Sequence, residues 1–252
     1  MNKLEKLCKN KRVALIGPSP HMHGLGFGEY IDDFDLVLRV NEIIPKGFEI
    51  DYGSRSDIVF LNFGNESMPL FNKMVEENKE TVNSIRLFVA PRNSLHVTPF
   101  HLNQFESKEN VHNNFRKLNI VNDFYHIGDE KNESIENKIG CHPTIGTIVM
   151  SLLSEIEYKE LFISGFSFFT TIFRYNKVKS DYEKSFDSKI KGSPGHNIDQ
   201  EIIYLQQLFN DYQNIKYDHY FENIILKNNY PIRKDLNWLL DFSKFLKLKK
   251  RF

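Results

Sequence analysis

Short apolar runs rich in β-branched residues recur along this chain, and amphipathic segments separate them. Five such runs are present, at 12–17, 35–41, 56–62, 86–91 and 160–166. Segments 146–156 and 199–212 repeat their apolar residues at helical spacing. This alternation is typical of an α/β fold, a Rossmann-like, mostly parallel sheet with helices on both faces. Ligands of such folds bind beyond the carboxyl ends of the strands, so we expect a site among the loops at 17–24, 41–47, 62–66 and 164–196.

Composition narrows the class of protein. The 252 residues, 40% of them hydrophobic, suffice for one domain with a core. Lys and Arg total 33 and balance 33 Asp and Glu, so the chain lacks the basic field of nucleic-acid binders. Cys8 and Cys141 are too few for a disulfide framework. Neither an apolar h-region nor a run of 18 apolar residues occurs. We therefore expect a cytoplasmic protein without a spanning segment or a nucleic-acid partner.

A glycine-rich loop follows the first apolar run, which ends at Gly17. Its glycines are Gly24, Gly26 and Gly28. A tight strand-to-helix turn would use them for conformational freedom alone. A nicotinamide-binding loop is disfavoured, because they lack GxGxxG spacing and the second run ends at Asn41 instead of an acidic residue. A P-loop is excluded, since no Gly-Lys-Ser/Thr follows.

Metal-binding patterns are weak. Residues 33–35 read Asp-Phe-Asp, but they precede a strand, where the carboxylates would face away from the ligand edge. His21 and His23 stand close in sequence, and folding could bring His126 near His142. None of these sets is a complete group of ligands. The prediction is that the protein has no metal site.

One long stretch carries several features in a fixed order. Residues 17–62 contain the glycine loop, an Ile-Asp pair, a strand ending Arg-Val-Asn and the run GFEIDYGSR. This order resembles the large sialyl motif of glycosyltransferase family 29, the sialyltransferases. The matching positions are Gly17, Ser19, Gly24, Gly26, Gly28, Ile31, Asp32, Arg39, Asn41, Gly47, Phe48, Glu49, Asp51, Gly53, Ser54 and Arg55.

Two further elements follow in the family's order. The stretch GCHPTIGTIVMSLLSEIEYKELFISGF, residues 140–166, resembles the small sialyl motif, and GHNIDQE carries His196 and Glu201 at the spacing of the family's last motif, H-x4-E. Pro18 stands where family 29 has an Asn, and Gly-Pro-Ser at this point is more like glycosyltransferase family 42. Ile145 replaces a Thr or Ser of the small motif. An aromatic-rich motif, the cysteine pair of the animal enzymes and a Golgi anchor are not evident. The resemblance is thus to a cytoplasmic, bacterial relative.

The resemblance implies an inverting, GT-A-like glycosyltransferase. Residues 1–230 would form one nucleotide-sugar glycosyltransferase domain. The enzyme would move a 2-keto sugar acid (sialic acid, Kdo or a related nonulosonic acid) from its CMP-activated form to a hydroxyl of a glycan or glycolipid acceptor. We expect a role in surface polysaccharide or lipooligosaccharide synthesis. The CMP-sugar would be a co-substrate, with no metal and no other cofactor required.

Donor-binding residues follow from the first motif. The turn at Gly17 and Ser19 would offer backbone N–H groups and a hydroxyl to the phosphate or ribose. Asn41, at the carboxyl end of the second strand, would hydrogen-bond the sugar or phosphate. The alternative for Asn41 is a turn-forming residue.

The second motif predicts an anion site at a helix start. Thr144, Gly146 and Thr147 follow Pro143, which is favoured in a first turn, and N–H groups there suit the CMP phosphate or the donor carboxylate. The alternative is a Thr144 N-cap without a ligand.

His196 is the predicted catalytic residue. An imidazole with an ordinary pKa near 6.5 suits a general base that deprotonates the acceptor hydroxyl. The alternatives are a phosphate ligand and a structural histidine at a helix start. Glu201 would support it, by fixing the imidazole tautomer or by holding the local fold.

Two segments lie outside the strand and helix pattern. Residues 167–195 are long and polar, which predicts a loop or lid near the site. Residues 231–252 mix aromatic and leucine residues with lysines, as in a basic amphipathic helix. Such a helix would lie peripherally on the inner membrane or pack on the domain. Rival functions are a non-catalytic nucleotide- or glycan-binding module on the same fold and a nucleotide-dependent oxidoreductase.

Overall fold

A parallel β-sheet organises the chain. The structure, a computed structural model, describes residues 1–42, 47–64, 68–91, 108–168, 197–210 and 214–225. All strand pairs in these ranges are parallel, and the sheet order is β5-β4-β3-β2-β1-β6-β7. The strands are β1 Arg12–Ile16, β2 Leu36–Val40, β3 Ile58–Phe60, β4 Leu87–Ala90, β5 Asp123–His126, β6 Glu160–Ser164 and β7 Ile215–Tyr217.

The five apolar runs all form strands, as predicted. The sequence did not reveal β5 and β7, the strands at the two edges of the sheet. In β5, Asp123 is exposed, and Phe124 and Tyr125 are only half-buried. In β7, only Ile215 is buried. An edge strand is covered less completely than a central one, so it needs no continuous apolar run.

Helices occupy most of the connections between strands. Both segments predicted as helices are confirmed, as α8 and α9, although α8 ends at Leu153, before the last residue of its apolar pattern, Ile156. The helices are α1 Lys3–Cys8, α2 Gly28–Asp32, α3 Glu49–Tyr52, α4 Met68–Glu77, α5 Lys79–Ser84, α6 Lys108–Lys117, α7 Asp129–Ile139, α8 Ile145–Leu153, α9 Ile198–Phe209 and α10 His219–Ile225, with a 3-10 turn at Pro20–Met22.

Alternate strand residues enter cores on opposite faces of the sheet. In β1, Val13 and Leu15 belong to a core that includes residues of α1 and α7 to α10. Ala14 and Ile16 belong to a second core, with Ile31 of α2. Residues of α4 to α6 form a third cluster on β3 and β4. The helices therefore cover both faces, which confirms the predicted α/β architecture.

The strand order reverses between β1 and β6. The chain runs outward from β1 to β5, then returns to place β6 on the other side of β1. Crevices at such reversals, beyond the carboxyl ends of the strands, are the usual ligand sites of α/β folds. The Gly17 N–H donates to the Ser164 carbonyl (2.8 Å), and the Ser19 N–H donates to the Gly165 carbonyl (3.0 Å). These bonds bring the loop after β1 against the loop after β6.

Three expectations from the sequence fall largely or wholly outside the described residues. They are the lid at 167–195, of which only 167 and 168 are described, the C-terminal helix at 231–252 and the base His196. Within the described ranges, none of the helices has both the length and the apolar character needed to cross a bilayer.

Candidate functional site at the carboxyl edge of the sheet

The glycine-rich loop is held by a carboxylate of its own chain. Asp51 accepts hydrogen bonds from the N–H groups of Gly24 (2.9 Å) and Gly26 (2.8 Å). Both glycines have positive φ, +76° and +68°, which favours residues without a Cβ. The N–H groups that a phosphate loop would present to its ligand are engaged by Asp51. The arrangement supports the interpretation of this loop as a tight turn.

A buried arginine fixes the segment after α3. Arg39 is only 2% exposed, although it carries a permanent charge. Its guanidinium donates to the carbonyls of Tyr52, Gly53 and Arg55 and to the Ser56 hydroxyl, at 2.7 to 3.1 Å. Buried charges are tolerated where hydrogen bonds replace water. The arginine therefore shapes the loop.

The end of α2 is tied to the same segment. Asp32 accepts from the Ser54 N–H (2.8 Å), the Ser54 hydroxyl (2.8 Å) and the Arg55 N–H (3.1 Å). Arg55 donates in return to the carbonyls of Asp32 and Phe34, both at 2.8 Å. Many positions that match the large motif thus stabilise the loops around the crevice.

Ser19 lies in the loop after β1, at the reversal of the strand order between β1 and β6. It is 3% exposed, and its carbonyl accepts from the Tyr52 hydroxyl at 2.6 Å. Its own hydroxyl is 3.0 Å from Nδ1 of His21. The structure thus places Ser19 at the predicted edge of the sheet and pairs it with a buried histidine.

Asn41 lies one strand away, directly after β2. Its φ is +61°, in the left-handed region that Asn tolerates better than most residues. Its N–H donates to the Phe60 carbonyl (3.0 Å). These features fit a turn-forming residue, and its position at the carboxyl end of β2 also fits a ligand contact.

The start of α8 is bound by Glu201. Thr144 is the N-cap, and its N–H (3.0 Å) and hydroxyl (2.7 Å) both donate to the Glu201 carboxylate. The Thr147 hydroxyl donates to the same oxygen. An internal carboxylate therefore occupies much of the anion site predicted here. The N–H groups of Ile145 and Gly146 lie in the first turn of α8, where no preceding helical residue supplies a carbonyl to accept their hydrogen bonds.

Phe166 joins the two motifs. A Cβ built on Gly146 would be 3.0 Å from its ring, and a Cβ built on Gly17 would be 3.0 Å from the same ring. The start of α8 and the end of β1 thus meet on one aromatic side chain. Gly17 and Gly146 therefore lie on one side chain at the reversal of the strand order, and ligand binding by Gly17, Ser19 and Gly146 stays a prediction.

The histidines that the sequence offered as metal ligands make other contacts. His142 is hydrogen-bonded to Glu136 (2.6 Å), and Nδ1 of His126 accepts from the Gly128 N–H (3.0 Å). Among the described residues, no three His, Cys, Asp or Glu side chains form a group that could hold a metal ion.

A buried His–Asp pair at the crevice was not predicted as functional. Nε2 of His21 is 2.9 Å from the Asp218 carboxylate, and both side chains are at most 2% exposed. Asp218 follows β7, which the sequence did not reveal as a strand. Asp218 also accepts from the Ser164 hydroxyl (2.7 Å) and the N–H groups of Gly165 (2.9 Å) and Phe221 (2.7 Å).

These contacts keep Asp218 ionised. Burial alone would raise the pKa of its carboxyl group, but the neighbouring His21 and the donated hydrogen bonds outweigh burial and lower the pKa to about 2. The crevice therefore contains a fixed negative charge beside an imidazole.

The lowered pKa predicts a loss of stability in acid. The folded-state pKa is about 2 and the ordinary value is 3.8, so the stabilisation is complete above about pH 4 and is lost as the pH falls towards 2. We expect this carboxylate to contribute about 2 kcal/mol to the free energy of unfolding. Urea unfolding of the wild type and Asp218→Asn between about pH 2 and pH 6 measures it, and their difference should shrink in acid. A constant difference would contradict the assignment.

Comparison with known proteins places this chain in a family. A family model described as glycosyltransferase family 29 (sialyltransferase) matches residues 3–213. The chain belongs to glycosyltransferase family 29. The match spans β1 to β6 and α9 and therefore includes every residue assigned above to the crevice except Asp218.

Curated relatives of this family 29 chain are sialyltransferases. Human CMP-N-acetylneuraminate-β-galactosamide-α-2,3-sialyltransferase 4 is 24% identical over 218 residues, which cover 79% of this chain and 61% of that protein. The mouse α-2,3-sialyltransferase 2 is 35% identical over 51 residues, 20% of this chain and 15% of that protein. The chain spans about three-fifths of the length of the first of these relatives.

Solved structures similar to this family 29 chain include a bacterial and a mammalian sialyltransferase. The sialyltransferase CstII from Campylobacter jejuni, in complex with the substrate analogue CMP-3FNeuAc, has a TM-score of 0.49 and 18% identity, covering 90% of this chain and 87% of that one. A mammalian sialyltransferase in complex with Gal-β-1-3GalNAc-ortho-nitrophenol has a TM-score of 0.48 and 16% identity, covering 84% and 71%.

Proposed function

We propose that this chain is a CMP-sugar-dependent, inverting glycosyltransferase that moves a 2-keto sugar acid to a glycan hydroxyl. One observation carries the proposal: the segments that match the two family motifs meet on Phe166 at the reversal of the strand order. The relatives' names make N-acetylneuraminate the first donor sugar to test and a β-galactosamide the first acceptor. Kdo and the nonulosonic acids related to sialic acid are the next donors.

The proposed reaction is a single displacement. The acceptor oxygen forms a bond to the anomeric carbon, while the bond from that carbon to the CMP phosphate oxygen breaks and CMP leaves with the electron pair. His196 takes the acceptor's proton. Gly17, Ser19 and Asn41 bind the nucleotide, and the N–H groups at the start of α8, including that of Gly146, stabilise the leaving phosphate. Neither a metal nor another cofactor takes part.

The cellular setting belongs to the same proposal. The enzyme works in the cytoplasm, or peripherally at the inner membrane, where it extends a surface polysaccharide or a lipooligosaccharide. Residues 231–252 carry the basic and aromatic side chains that would attract anionic lipid. Vesicle co-sedimentation of the full chain and of a chain ending at residue 230 tests this part separately.

The function is tested first by binding and then by turnover. Calorimetric titration with CMP, CDP, UDP, GDP and NADPH, with EDTA present, should show selective CMP binding. CMP-N-acetylneuraminate and a β-galactosamide acceptor then assay transfer. Tight NADPH or UDP binding without a response to CMP would overturn the proposal. CMP binding with no turnover of any CMP-sugar would favour a non-catalytic binding module.

His196→Ala should separate chemistry from binding. We expect kcat to fall by at least about 100-fold, since general base catalysis contributes that much or more, with CMP affinity nearly unchanged. His112→Gln is the matched control, because His112 packs on Phe124 at the far edge of the sheet. Equal activity of His196→Ala and His112→Gln would remove His196 from the mechanism.

A further inference from the structure

Asp218 uses its two carboxylate oxygens in different ways. Oδ1 accepts from the Phe221 N–H at 2.7 Å, as the side chain of an N-cap does at the start of a helix. Oδ2 accepts from the Gly165 N–H (2.9 Å) and the Ser164 hydroxyl (2.7 Å), and it lies 2.9 Å from Nε2 of His21. Capping α10 requires only the first oxygen. The contacts of the second oxygen therefore point to a separate role.

The second oxygen fixes the turn that follows β6. Gly165 in this turn has φ +82°, and its carbonyl accepts from the Ser19 N–H at 3.0 Å. A Cβ built on Gly165 would lie 2.3 Å from the Gly17 carbonyl oxygen, so the turn lies directly against the loop after β1. The Asp218 side chain is 1% exposed and ionised, with a pKa of about 2, so its bond to this turn is charge-assisted. The position of the turn thus depends on Asp218.

Phe166 comes directly after this turn, and it is the ring on which the two motif segments meet. Phe221 packs edge-on against the Phe166 ring, with centroids 6.4 Å apart, and lies 5.7 Å from the ring of Phe168. One oxygen of Asp218 holds the backbone N–H of Phe221, and the other holds that of Gly165. Asp218 therefore acts on Phe166 from two sides, through the residue before it and through the ring beside it.

We propose that Asp218 is a positioning residue for the donor site, because it holds Phe166 where the loop after β1 meets the start of α8. The inference rests on the proposed function, in which these two segments bind the CMP part of the donor. Asp218 and Phe221 both lie beyond residues 3–213, the range that matches the family model. A displaced Phe166 would move the start of α8 relative to Gly17, so that the nucleotide would lose contacts with one of them.

Asp218→Ser separates the two oxygens. Serine is a good N-cap, so its hydroxyl can still accept from the Phe221 N–H, but it offers no second oxygen to Gly165. We expect the Kd for CMP to rise about tenfold and kcat/KM to fall about 100-fold, which is the loss that a displacement of about 1 Å can cause. Calorimetric titration and a transfer assay measure both, at a temperature where circular dichroism shows the variant to be folded. A residue that merely caps α10 would leave both values unchanged.

Phe221→Leu tests the other side of Phe166 and leaves Asp218 in place. Phe88→Leu is the matched control, because Phe88 is 1% exposed, Phe221 is fully buried, and Phe88 belongs to the separate cluster on β3 and β4. The two variants remove the same core volume, so we expect similar losses of stability. Only Phe221→Leu should raise the Kd for CMP, by about threefold or more, the scale of one aromatic pair.

The outcomes are distinct. Wild-type CMP affinity and kcat/KM in folded Asp218→Ser overturn this inference, and so do equal CMP affinities of Phe221→Leu and Phe88→Leu. The second comparison decides by itself if Asp218→Ser does not fold. In each of these cases CMP binding by the wild type leaves the proposed function intact. Failure of the wild type to bind CMP overturns the proposed function and this inference together.

Discussion

Gly17→Ala should destabilise the protein by at least about 3 kcal/mol and weaken CMP binding. A Cβ at this position would lie 2.3 Å from the Gly165 carbonyl oxygen and 2.9 Å from the carbonyl carbon. Both are backbone atoms, and the hydrogen bonds from the Gly17 and Ser19 N–H groups hold them in place. Overpacking of a rigid site costs about 1–3 kcal/mol and more where the backbone must move. Urea unfolding of both proteins measures the difference.

Two other glycines separate the possible causes. Gly24→Ala is the matched control, because Gly24 has φ +76° and no heavy atom lies within 4 Å of the position its Cβ would take, so only backbone strain of about 1 kcal/mol is expected. Gly165→Ala combines a φ of +82° with a 2.3 Å clash and should cost most. If Gly17→Ala lost no more stability than Gly24→Ala, the close approach of the loops after β1 and β6 would be wrong.

The fold was largely predictable because central parallel strands are buried on both faces. Burial demands continuous apolar runs, and such runs mark all five inner strands. The edge strands β5 and β7 are covered less completely, so they need no continuous apolar run. Because β7 was not predicted from the sequence, no position at the site could be predicted for Asp218, which follows that strand. Its contact with His21 joins residues 197 positions apart, and no local pattern reveals such a pair.

The sequence predicted which segments come together but not their internal contacts. Gly17 and the start of α8 both lie on Phe166, and the Ser19 N–H donates to Gly165, at the reversal of the strand order. The sequence did not show that Asp51 would take the N–H groups of Gly24 and Gly26. An internal carboxylate and an external phosphate require the same donors, so a glycine-rich pattern alone does not distinguish them.

Glu201 presents the same ambiguity at the start of α8, and it can be resolved by substitution. Glu201→Ala should lower the free energy of unfolding by about 4 kcal/mol. The side chain is fully buried, and its removal leaves a cavity and takes away the acceptor of the Thr144 N–H and of the two threonine hydroxyls, which lie 3.1 Å apart and so leave one hydroxyl proton without an acceptor when they bond to each other. Each buried donor left unsatisfied costs about 1–3 kcal/mol. Urea unfolding at neutral pH measures the loss.

Glu201→Gln distinguishes the hydrogen bonds from the charge. The three donors converge on one oxygen, which an amide carbonyl can replace, so we expect a loss of only about 1 kcal/mol, because a neutral acceptor is weaker than a charged one. Asp199→Ala is the control in the same first turn of α9, where the carboxylate is exposed and should contribute about 0.5 kcal/mol. A Glu201→Ala protein as stable as Asp199→Ala would show that Glu201 does not hold α8. That result would favour the other predicted role of Glu201, as the residue that fixes the tautomer of His196.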